Sequence, residues 1–336
     1  MNFLFSIIIP VYNRPKEIEE LLESALEVKN IQNCEIIIIE DGSLQTCEKV
    51  LEPFNSKLNI SYYFKPNTGP GDSRNYGMQK AQAEYFIILD SDVLLPSDYI
   101  LNIQKSLKSN HVDCFGGPDR AHQSFSPLQK AINYAMTSLL TTGGVRGKEE
   151  QKKNFQPRSF NMGLSRKAFK ASSGFSNIHP GEDPDLALRL KDLGFKTALF
   201  SNCFVYHKRR ISWQGYAKQI FKFGLVRPIL NSWHPKSRSL VFYFPTLFSL
   251  GFLLSIVLLF LNIIWLIMLF GLYFILIFID ALRVEKSLKI SFLSILAVCI
   301  QFFCYGFAFL KSSIIITLLK NNPEKVYPFL FFKHEV

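Results

Sequence analysis

The chain has 336 residues, of which 48% are hydrophobic and 14% aromatic, and its formal net charge at pH 7 is +11. A positive net charge can indicate nucleic-acid binding, but here long apolar segments account for the aromatic residues, so we expect a membrane and no nucleic acid as partner. The six cysteines include no CxxC pair and no histidine at ligand spacing, which argues against a zinc site and a disulfide framework.

The first forty residues predict a parallel βαβ unit. A β-branched run over 3–10 precedes a helical pattern that starts near Pro15, with Asn13 as its expected N-cap. A second apolar run over 36–39 leads into Asp41. Asp41 therefore follows a strand, at the edge where open α/β sheets bind ligands, although capping of the next helix explains it equally well.

A Gly/Pro-rich loop over 67–75 follows a predicted strand at 60–64 and opens another helix. Free backbone amides at the start of a helix favour an anion. Arg74 adds a charge that suits phosphate, whereas Asp72 opposes a phosphate placed directly on the amides. The loop therefore predicts an anion site with Arg74 beside it.

The stretch 86–92 predicts a buried strand that ends in two carboxylates one residue apart. Residues i and i+2 of an extended backbone point to the same side, so Asp90 and Asp92 can converge on one cation. Carboxylate oxygens suit Mg²⁺ or Mn²⁺, ions that often bridge a protein and a phosphorylated substrate. A DxD alone is common in surface turns, but this one follows four apolar residues.

Two later segments add candidate groups. The loop 180–186 carries three acids, among them Glu182 and Asp183, and leads into a helix, so capping explains one or two of them but hardly all. His207 ends the strand-like segment 196–206 and stands beside three basic residues, as a histidine of a basic surface does.

Five motifs follow one another along the chain: SIIIPVYNRP, IIIIEDGS, NTGPGDSRNYGM, FIILDSDVLLP and GEDPDLALRL. Together and in this order they resemble the motifs of the family 2 inverting glycosyltransferases of GT-A fold. The resemblance covers residues 3 to roughly 224 and implies an α/β fold with a Rossmann-like, mostly parallel sheet, which we expect over 1–230. An α-helical membrane region would follow it.

The resemblance also implies a role for each motif residue. Asp183, or else Glu182, would be the catalytic base. The metal, Mg²⁺ or Mn²⁺, would be held by Asp90 and Asp92. His207 would be a further ligand, as a late histidine is in some family members, unless it belongs to the basic surface. The nucleotide sugar would be bound by Pro10, Tyr12, Asp41, Arg74 and Asp90. A UDP-sugar is favoured, because Asp41 would face the base.

Direct displacement at a sugar carbon explains why these groups are needed. The charge of the leaving diphosphate must be neutralised, which a metal ion does. The acceptor hydroxyl must lose a proton, which a carboxylate such as Asp183 can accept. The departing diphosphate needs no general acid once its charge is neutralised.

Composition predicts membrane integration. Leu240 to Ile279 contains no charged residue, and Ser291 to Leu310 is a further uncharged stretch; a spanning helix needs about 20 apolar residues. We expect two to three helices over 240–319 and a tail at 320–336. The basic segment 208–236 predicts an amphipathic helix that lies in the membrane interface or packs on the catalytic domain. Its charge predicts that the catalytic domain lies in the cytoplasm, and we expect the helices in the plasma (inner) membrane.

Two features bear on the acceptor. Residues 119–158 predict a mobile loop region on the acceptor side. Residues 219–223 resemble a degraded QxxRW motif of processive synthases, with Lys222 in place of Arg and Phe223 in place of Trp, which favours single addition.

The sequence therefore predicts transfer of one sugar to a lipid-linked or cell-envelope glycan. The alternatives are a polyprenyl-phosphate glycosyltransferase and a catalytically inactive GT-A scaffold at the membrane.

Overall fold

The structure, a computed structural model, describes residues 3–120, 125–143, 155–208 and 212–332. It divides into two compact units. The first comprises Met1–Arg120, Gly147–His207 and Phe331–Val336, and the second comprises Ala121–Arg146 and Lys208–Leu330.

The first unit is built on a largely parallel sheet. Its strands are β1 (Phe5–Val11), β2 (Cys34–Asp41), β3 (Asn59–Lys65), β4 (Tyr85–Leu89), β5 (Val93–Leu94), β6 (Cys114–Gly116), β7 (Asp119–Arg120), β8 (Asn161–Ser165), β9 (Thr197–Leu199) and β10 (Val205–His207). Seven strands form the main sheet in the order β3-β2-β1-β4-β8-β6-β9, and β5, β10 and β7 form a small second sheet. Only β8 runs antiparallel to its neighbours in the main sheet. The expected α/β fold is confirmed.

Helices cover both faces of this sheet, because its central strands are apolar on both sides. The helices of the first unit are α1 (Pro15–Leu26), α2 (Glu48–Leu51), α3 (Pro70–Lys80), α4 (Tyr99–Ser109), α7 (Arg166–Ser172) and α8 (Glu182–Asp192). One core cluster lies between the sheet and α1 and α4, and a second lies between the sheet and α3, α7 and α8. The carboxyl ends of β1 to β4 meet at one edge, which positions the loops that follow them.

Asn13 does not cap α1, contrary to expectation. The N-cap is Arg14, which makes no side-chain cap. Asn13 adopts φ 54°, and its Oδ1 accepts hydrogen bonds from the backbone amides of Leu44 and Gln45 at 2.8 and 3.0 Å. The side chain therefore ties the loop after β1 to the loop after β2, both at the ligand edge.

The second unit is helical in its described part. Its helices are α5 (Pro127–Thr137), α6 (Leu139–Thr142), α9 (Trp213–Trp233), α10 (Phe244–Phe260), α11 (Trp265–Glu285), α12 (Leu288–Ser312, continued by a π-helix over Ser313–Leu318) and α13 (Pro323–Val326). Three helical segments are long and apolar enough to cross a membrane: Leu240–Phe260, Trp265–Glu285 and Leu288–Leu318, with mean hydropathies of 2.1, 2.4 and 2.1.

The loop expected over 119–158 is wrong for residues 127–142, which form α5 and α6. The sequence signal was a capping box: Ser126 accepts a hydrogen bond from the Gln129 amide, and the Gln129 side chain accepts one from the Ser126 amide. Residues 121–124 and 144–154 of this region lie outside the described residues.

Helix α9 belongs to the second unit. The helix packs against α12, where a Cβ on Gly224 would stand 2.6 Å from the Tyr305 carbonyl oxygen. The Tyr216 hydroxyl donates to the Gln301 side chain at 3.0 Å, and the Ser312 hydroxyl donates to the Leu225 carbonyl at 2.7 Å. Small residues and these hydrogen bonds fit α9 closely to α12, as in membrane helix pairs.

Candidate active site

The structure brings Asp90, Asp92 and His207 together. The two aspartates follow β4, and β10 pairs antiparallel with β5 so that His207 lies opposite Val93. The His207 Nε2 is 3.2 Å from the Asp92 Oδ1, and one ligand atom from each of the three residues lies within 4.8 Å of the others. The ring of Phe160 stacks on the imidazole at 4.8 Å and fixes its plane.

Two carboxylates and an imidazole form a donor set that fits a divalent cation. The carboxylates suit Mg²⁺ and Mn²⁺, whereas the imidazole nitrogen is a softer donor that transition ions accept more readily than Mg²⁺ does. Arg14 lies beside this cluster, where its Nη1 donates to the Asp92 Oδ2 at 3.0 Å. The residues therefore fit the expected metal, and His207 is placed to take part.

Arg74 is buried and contacts the acidic cluster. Its Nη2 donates to the Asp90 Oδ1 at 2.7 Å and its Nη1 donates to the Glu182 Oε1 at 2.9 Å. The guanidinium also lies over the Phe175 ring, 5.3 Å from its centroid. One fixed cation thus joins the carboxylate after β4 to the first turn of α8.

Glu182 is held in this network. It is 3% exposed, and the His179 Nδ1 lies 3.1 Å from its Oε1. Burial acts to raise the pKa of Glu182, but His179 and Arg74 outweigh it and hold that pKa well below its usual range. An ionised carboxylate held by Arg74 and His179 is a weak proton acceptor.

Asp183, the next residue, has the opposite electrostatics. Burial raises the pKa of its carboxyl, and Arg158, whose Nη1 is 3.7 Å from the Asp183 Oδ2, opposes that rise. The negative charges of Glu182 and Asp90 raise the pKa further. A carboxylate with a raised pKa is the better general base, so the opposite pKa shifts favour Asp183 over Glu182 as the base.

The third acid of this segment, Asp185, has a structural role. Its Oδ2 accepts from the Arg189 Nε and Nη2 at 3.0 and 2.8 Å, and Arg189 also donates to the carbonyls of Ser172 and Gly174. This ion pair ties α8 to the loop after α7.

Asp41 binds the loop that precedes α3. Its Oδ1 accepts from the Lys65 Nζ at 2.7 Å and from the Thr68 amide at 3.0 Å, and its Oδ2 accepts from the Gly69 amide at 3.0 Å. The expectation that amides of this loop are available to an anion is therefore wrong for Thr68 and Gly69, because the Asp41 carboxylate occupies them. The Lys65 Nζ also lies 3.2 Å from the Asp72 Oδ2.

The other predicted nucleotide residues lie at the end of β1. Pro10 is buried within the strand, and Tyr12, just beyond it, is 50% exposed. Tyr12 therefore offers an aromatic surface at the carboxyl edge of the sheet.

Sequence reasoning missed several residues around the site. Arg14 stands within the first motif, but nothing local linked it to Asp92. The carboxylate patterns that predicted the site do not include Arg158, His179 or Phe160. Only the fold brings these three residues to the site.

Known proteins resemble this chain in sequence. The family model described as Glycosyl transferase family 2 matches residues 6–172. An uncharacterized glycosyltransferase of Rickettsia typhi is 37% identical over 128 residues, which are 37% of this chain and 39% of that protein. The chondroitin synthase of Escherichia coli is 28% identical over 183 residues, which are 50% of this chain and 27% of that protein. The chain thus spans well under half the length of either relative.

A solved structure resembles the chain in fold. The mannosyltransferase PcManGT from Pyrobaculum calidifontis, in complex with GDP-Man and Mn²⁺, superposes with a TM-score of 0.59 at 15% identity, covering 96% of this chain and 89% of that one. This agreement concerns the fold alone. The family match thus identifies residues 6–172 as a glycosyl transferase family 2 domain.

Proposed function

We propose that the protein is a membrane-bound glycosyltransferase that moves one sugar from a cytosolic nucleotide-sugar donor to a lipid-linked or cell-envelope glycan acceptor. The reaction is a metal-assisted direct displacement with inversion at the anomeric carbon. The observation that carries this proposal is the cluster of Asp90, Asp92 and His207, in which Asp90 is linked through Arg74 to Glu182, the residue before Asp183.

The acidic cluster is the proposed metal site. Asp90, Asp92 and His207 would hold Mg²⁺ or Mn²⁺, which supplies positive charge to the leaving diphosphate. PcManGT was solved with GDP-Man and Mn²⁺, which supports a nucleoside diphosphate donor and a divalent ion by analogy of fold.

The proposed donor residues divide into two groups. Tyr12, with an exposed ring, and Asp90 offer atoms directly to the nucleotide sugar. Asp41 and Arg74 act mainly by position, because Asp41 holds the loop before α3 and Arg74 holds Asp90. Pro10 shapes the end of β1 beneath Tyr12.

Asp183 is the proposed base. Its carboxylate takes the proton of the acceptor hydroxyl while the oxygen attacks the anomeric carbon, and the nucleoside diphosphate departs. Arg158 orients this carboxylate, and Glu182 keeps Arg74 in place behind Asp90.

We place the protein in the plasma (inner) membrane as a multi-pass protein with its catalytic domain in the cytoplasm. The three long apolar helices support membrane insertion. The cytoplasmic orientation of the catalytic domain is supported by the basic residues that precede the first apolar helix, namely Lys218, Lys222, Lys236 and Arg238.

The test is release of nucleoside diphosphate by detergent-solubilised protein from a panel of UDP-, GDP- and dTDP-sugars, with Mg²⁺ or Mn²⁺ and host lipid extract. We expect turnover with one donor, abolished in Asp92→Asn and strongly reduced in Asp183→Asn, but retained in the control Asp192→Asn on the exposed end of α8. Activity that tolerates Asp183→Asn would instead identify a phosphate acceptor, which is already ionised. Folded wild type without turnover on any donor would contradict the proposal and favour the scaffold.

A further inference from the structure

The residues after the apolar helices return to the first unit. Phe331 forms an antiparallel bridge with Ile178, and the Phe332 amide donates to the Asn177 carbonyl at 3.0 Å. The Phe332 ring covers Gly69 so closely that a Cβ there would overlap it, and it lies 6.2 Å from the His179 ring. Both phenylalanines therefore pack on the loops that border the candidate active site.

This contact limits how often the chain crosses a membrane. Residues 3–208 and 331–332 are separated in sequence by three segments that are long and apolar enough to span. An odd number of crossings would leave the two parts on opposite sides, where Phe331 and Ile178 could not pair. The number of crossings must therefore be even.

Because the number of crossings is even, we propose that α12 does not cross the bilayer. It lies against the membrane on the same side as the catalytic domain, and its exposed apolar face contacts the acyl chains of the near leaflet. Helices α10 and α11 then enter as a hairpin whose two ends stay on that side. The inference rests on the membrane association proposed above and extends it to the topology.

The packing of α9 on α12 supports this assignment. If about 20 consecutive residues of Leu288–Leu318 filled the hydrocarbon, Gln301 and Tyr305 would lie within it wherever the window began. These residues are next to Tyr216 and Gly224 of α9. Lys218 and Lys222 lie between those two positions, and Lys218 is exposed. A lysine within the hydrocarbon of a bilayer is strongly unfavourable, so this depth does not suit α9.

The surface of α12 matches a helix at the membrane boundary. One face packs inside the second unit through Ser294, Val298, Phe302 and Phe309. The other face exposes an apolar stripe at helical spacing, formed by Phe292, Leu296, Phe307, Ile314 and Leu318. Lys311, also exposed, interrupts this stripe in its second half. An apolar stripe with a lysine in it suits the boundary between headgroups and acyl chains better than the hydrocarbon interior.

The hairpin of α10 and α11 differs from α12 in its charge. No charged residue occurs from Leu240 to Ile279, and the turn between the helices exposes Phe260, Leu261 and Trp265. The first acid, Asp280, accepts hydrogen bonds from Tyr134 and Ser138 at 2.6 and 3.1 Å. The apolar turn therefore leads the hairpin into the bilayer, and the polar groups remain at its open end.

Cysteine labelling in intact and permeabilised cells tests the topology. We would introduce Lys320→Cys after α12 and, as a reference on the catalytic unit, Leu44→Cys, whose side chain is 94% exposed. Cys34, Cys47, Cys114 and Cys203 are buried, but Cys299 and Cys304 of α12 are half-buried, so Cys299→Ser and Cys304→Ser are introduced throughout and this background variant is the control. With a membrane-impermeant maleimide we expect both variants to react only after permeabilisation, and equally so.

Each other outcome is informative. Labelling of Lys320→Cys in intact cells, with Leu44→Cys protected, would place the two sites on opposite sides and overturn the proposal. Spin labels at Phe307→Cys and Leu261→Cys measure depth, and we expect the first to be shallow and the second deep. A deep label at Phe307 would overturn the surface position of α12. Extraction of the protein by carbonate would show that membrane integration itself fails, which is a failure of the proposed function and separate from the topology.

Discussion

The His207 Nε2 lies 3.2 Å from the Asp92 Oδ1 because β10 pairs with β5, directly after the aspartate. The imidazole plane is fixed by stacking on Phe160. An imidazole held in this way adds a nitrogen to the two carboxylates of the DxD segment. The site thus has three candidate ligands, two from the turn between β4 and β5 and one from β10 of the second sheet.

Loss of either Asp92 or His207 should weaken metal binding. We expect Asp92→Asn and His207→Phe, which keeps a ring against Phe160, to raise the Kd for Mn²⁺ by more than about 100-fold, since even outer-sphere partners of a metal contribute about 10- to 100-fold. Electron paramagnetic resonance of free Mn²⁺ measures this. Asp98→Asn is the matched control, because Asp98 is an exposed aspartate that pairs with Lys29. Unchanged affinity in His207→Phe would remove His207 from the site.

Replacement of Asp183 should affect the chemical step and leave donor binding intact. General-base catalysis contributes about 10²- to 10⁴-fold, so we expect kcat of Asp183→Asn to fall in that range while KM for the donor is unchanged. Steady-state kinetics with a saturating acceptor give both constants. A rise in donor KM with kcat preserved would show that Asp183 binds substrate and takes no proton.

The pH dependence should report the raised pKa of Asp183. A base must be deprotonated, so kcat/KM falls as pH drops through that pKa, and the acid limb should lie above the ordinary aspartate value of about 3.9. Arg158 opposes the rise in pKa, so Arg158→Gln should move the limb to higher pH. The control Lys167→Gln, on the exposed side of α7, should leave the profile in place. A limb that moves to lower pH in Arg158→Gln would contradict this electrostatic assignment.

Glu182 should matter for stability more than for proton transfer. Glu182→Gln leaves Arg74 with Asp90 as its remaining carboxylate partner, and breaking a buried pair costs about 3–5 kcal/mol of the free energy of unfolding. Chemical denaturation at pH 7 measures the loss.

The same substitution has a predicted pH signature. The folded-state pKa of Glu182 is lowered, so its contribution to stability is complete above the unfolded value of about 4.3 and is lost as pH falls through the lower folded value. Wild type should therefore lose stability more steeply than Glu182→Gln when acidified below about 4.3. Parallel curves for the two proteins would show that Glu182 does not carry this linkage.

In the helical unit, Gly224 sets how closely α9 approaches α12. A Cβ at this position would meet the Tyr305 carbonyl oxygen at 2.6 Å and the Ala308 Cβ at 2.8 Å, so Gly224→Ala should lower the Tm in detergent. Gly271→Ala is the matched control in α11, where nothing lies within 4 Å of the added atom and alanine favours the helix. Equal Tm values for the two variants would mean that α9 and α12 separate at little cost.

The amino-acid sequence by itself determined the strands, the apolar helices and the edge of the sheet where the acids collect. These depend on periodicity and on turn residues, which act within a few positions of one another. Asp90 and Asp92 were predicted as a pair for this reason, since two residues in one extended segment share a side. The length of the uncharged stretches likewise sufficed to predict helices that could span a membrane.

The tertiary structure decided which of several equivalent groups has which partner. Asp183 and Glu182 are neighbours in sequence, yet Glu182 turns to Arg74 and His179 while Asp183 lies near Arg158. Such pairings depend on strand register and on how helices pack, and no local pattern encodes either. For the same reason only the fold could join His207 to Asp92, and Phe331 to Ile178 across three apolar helices.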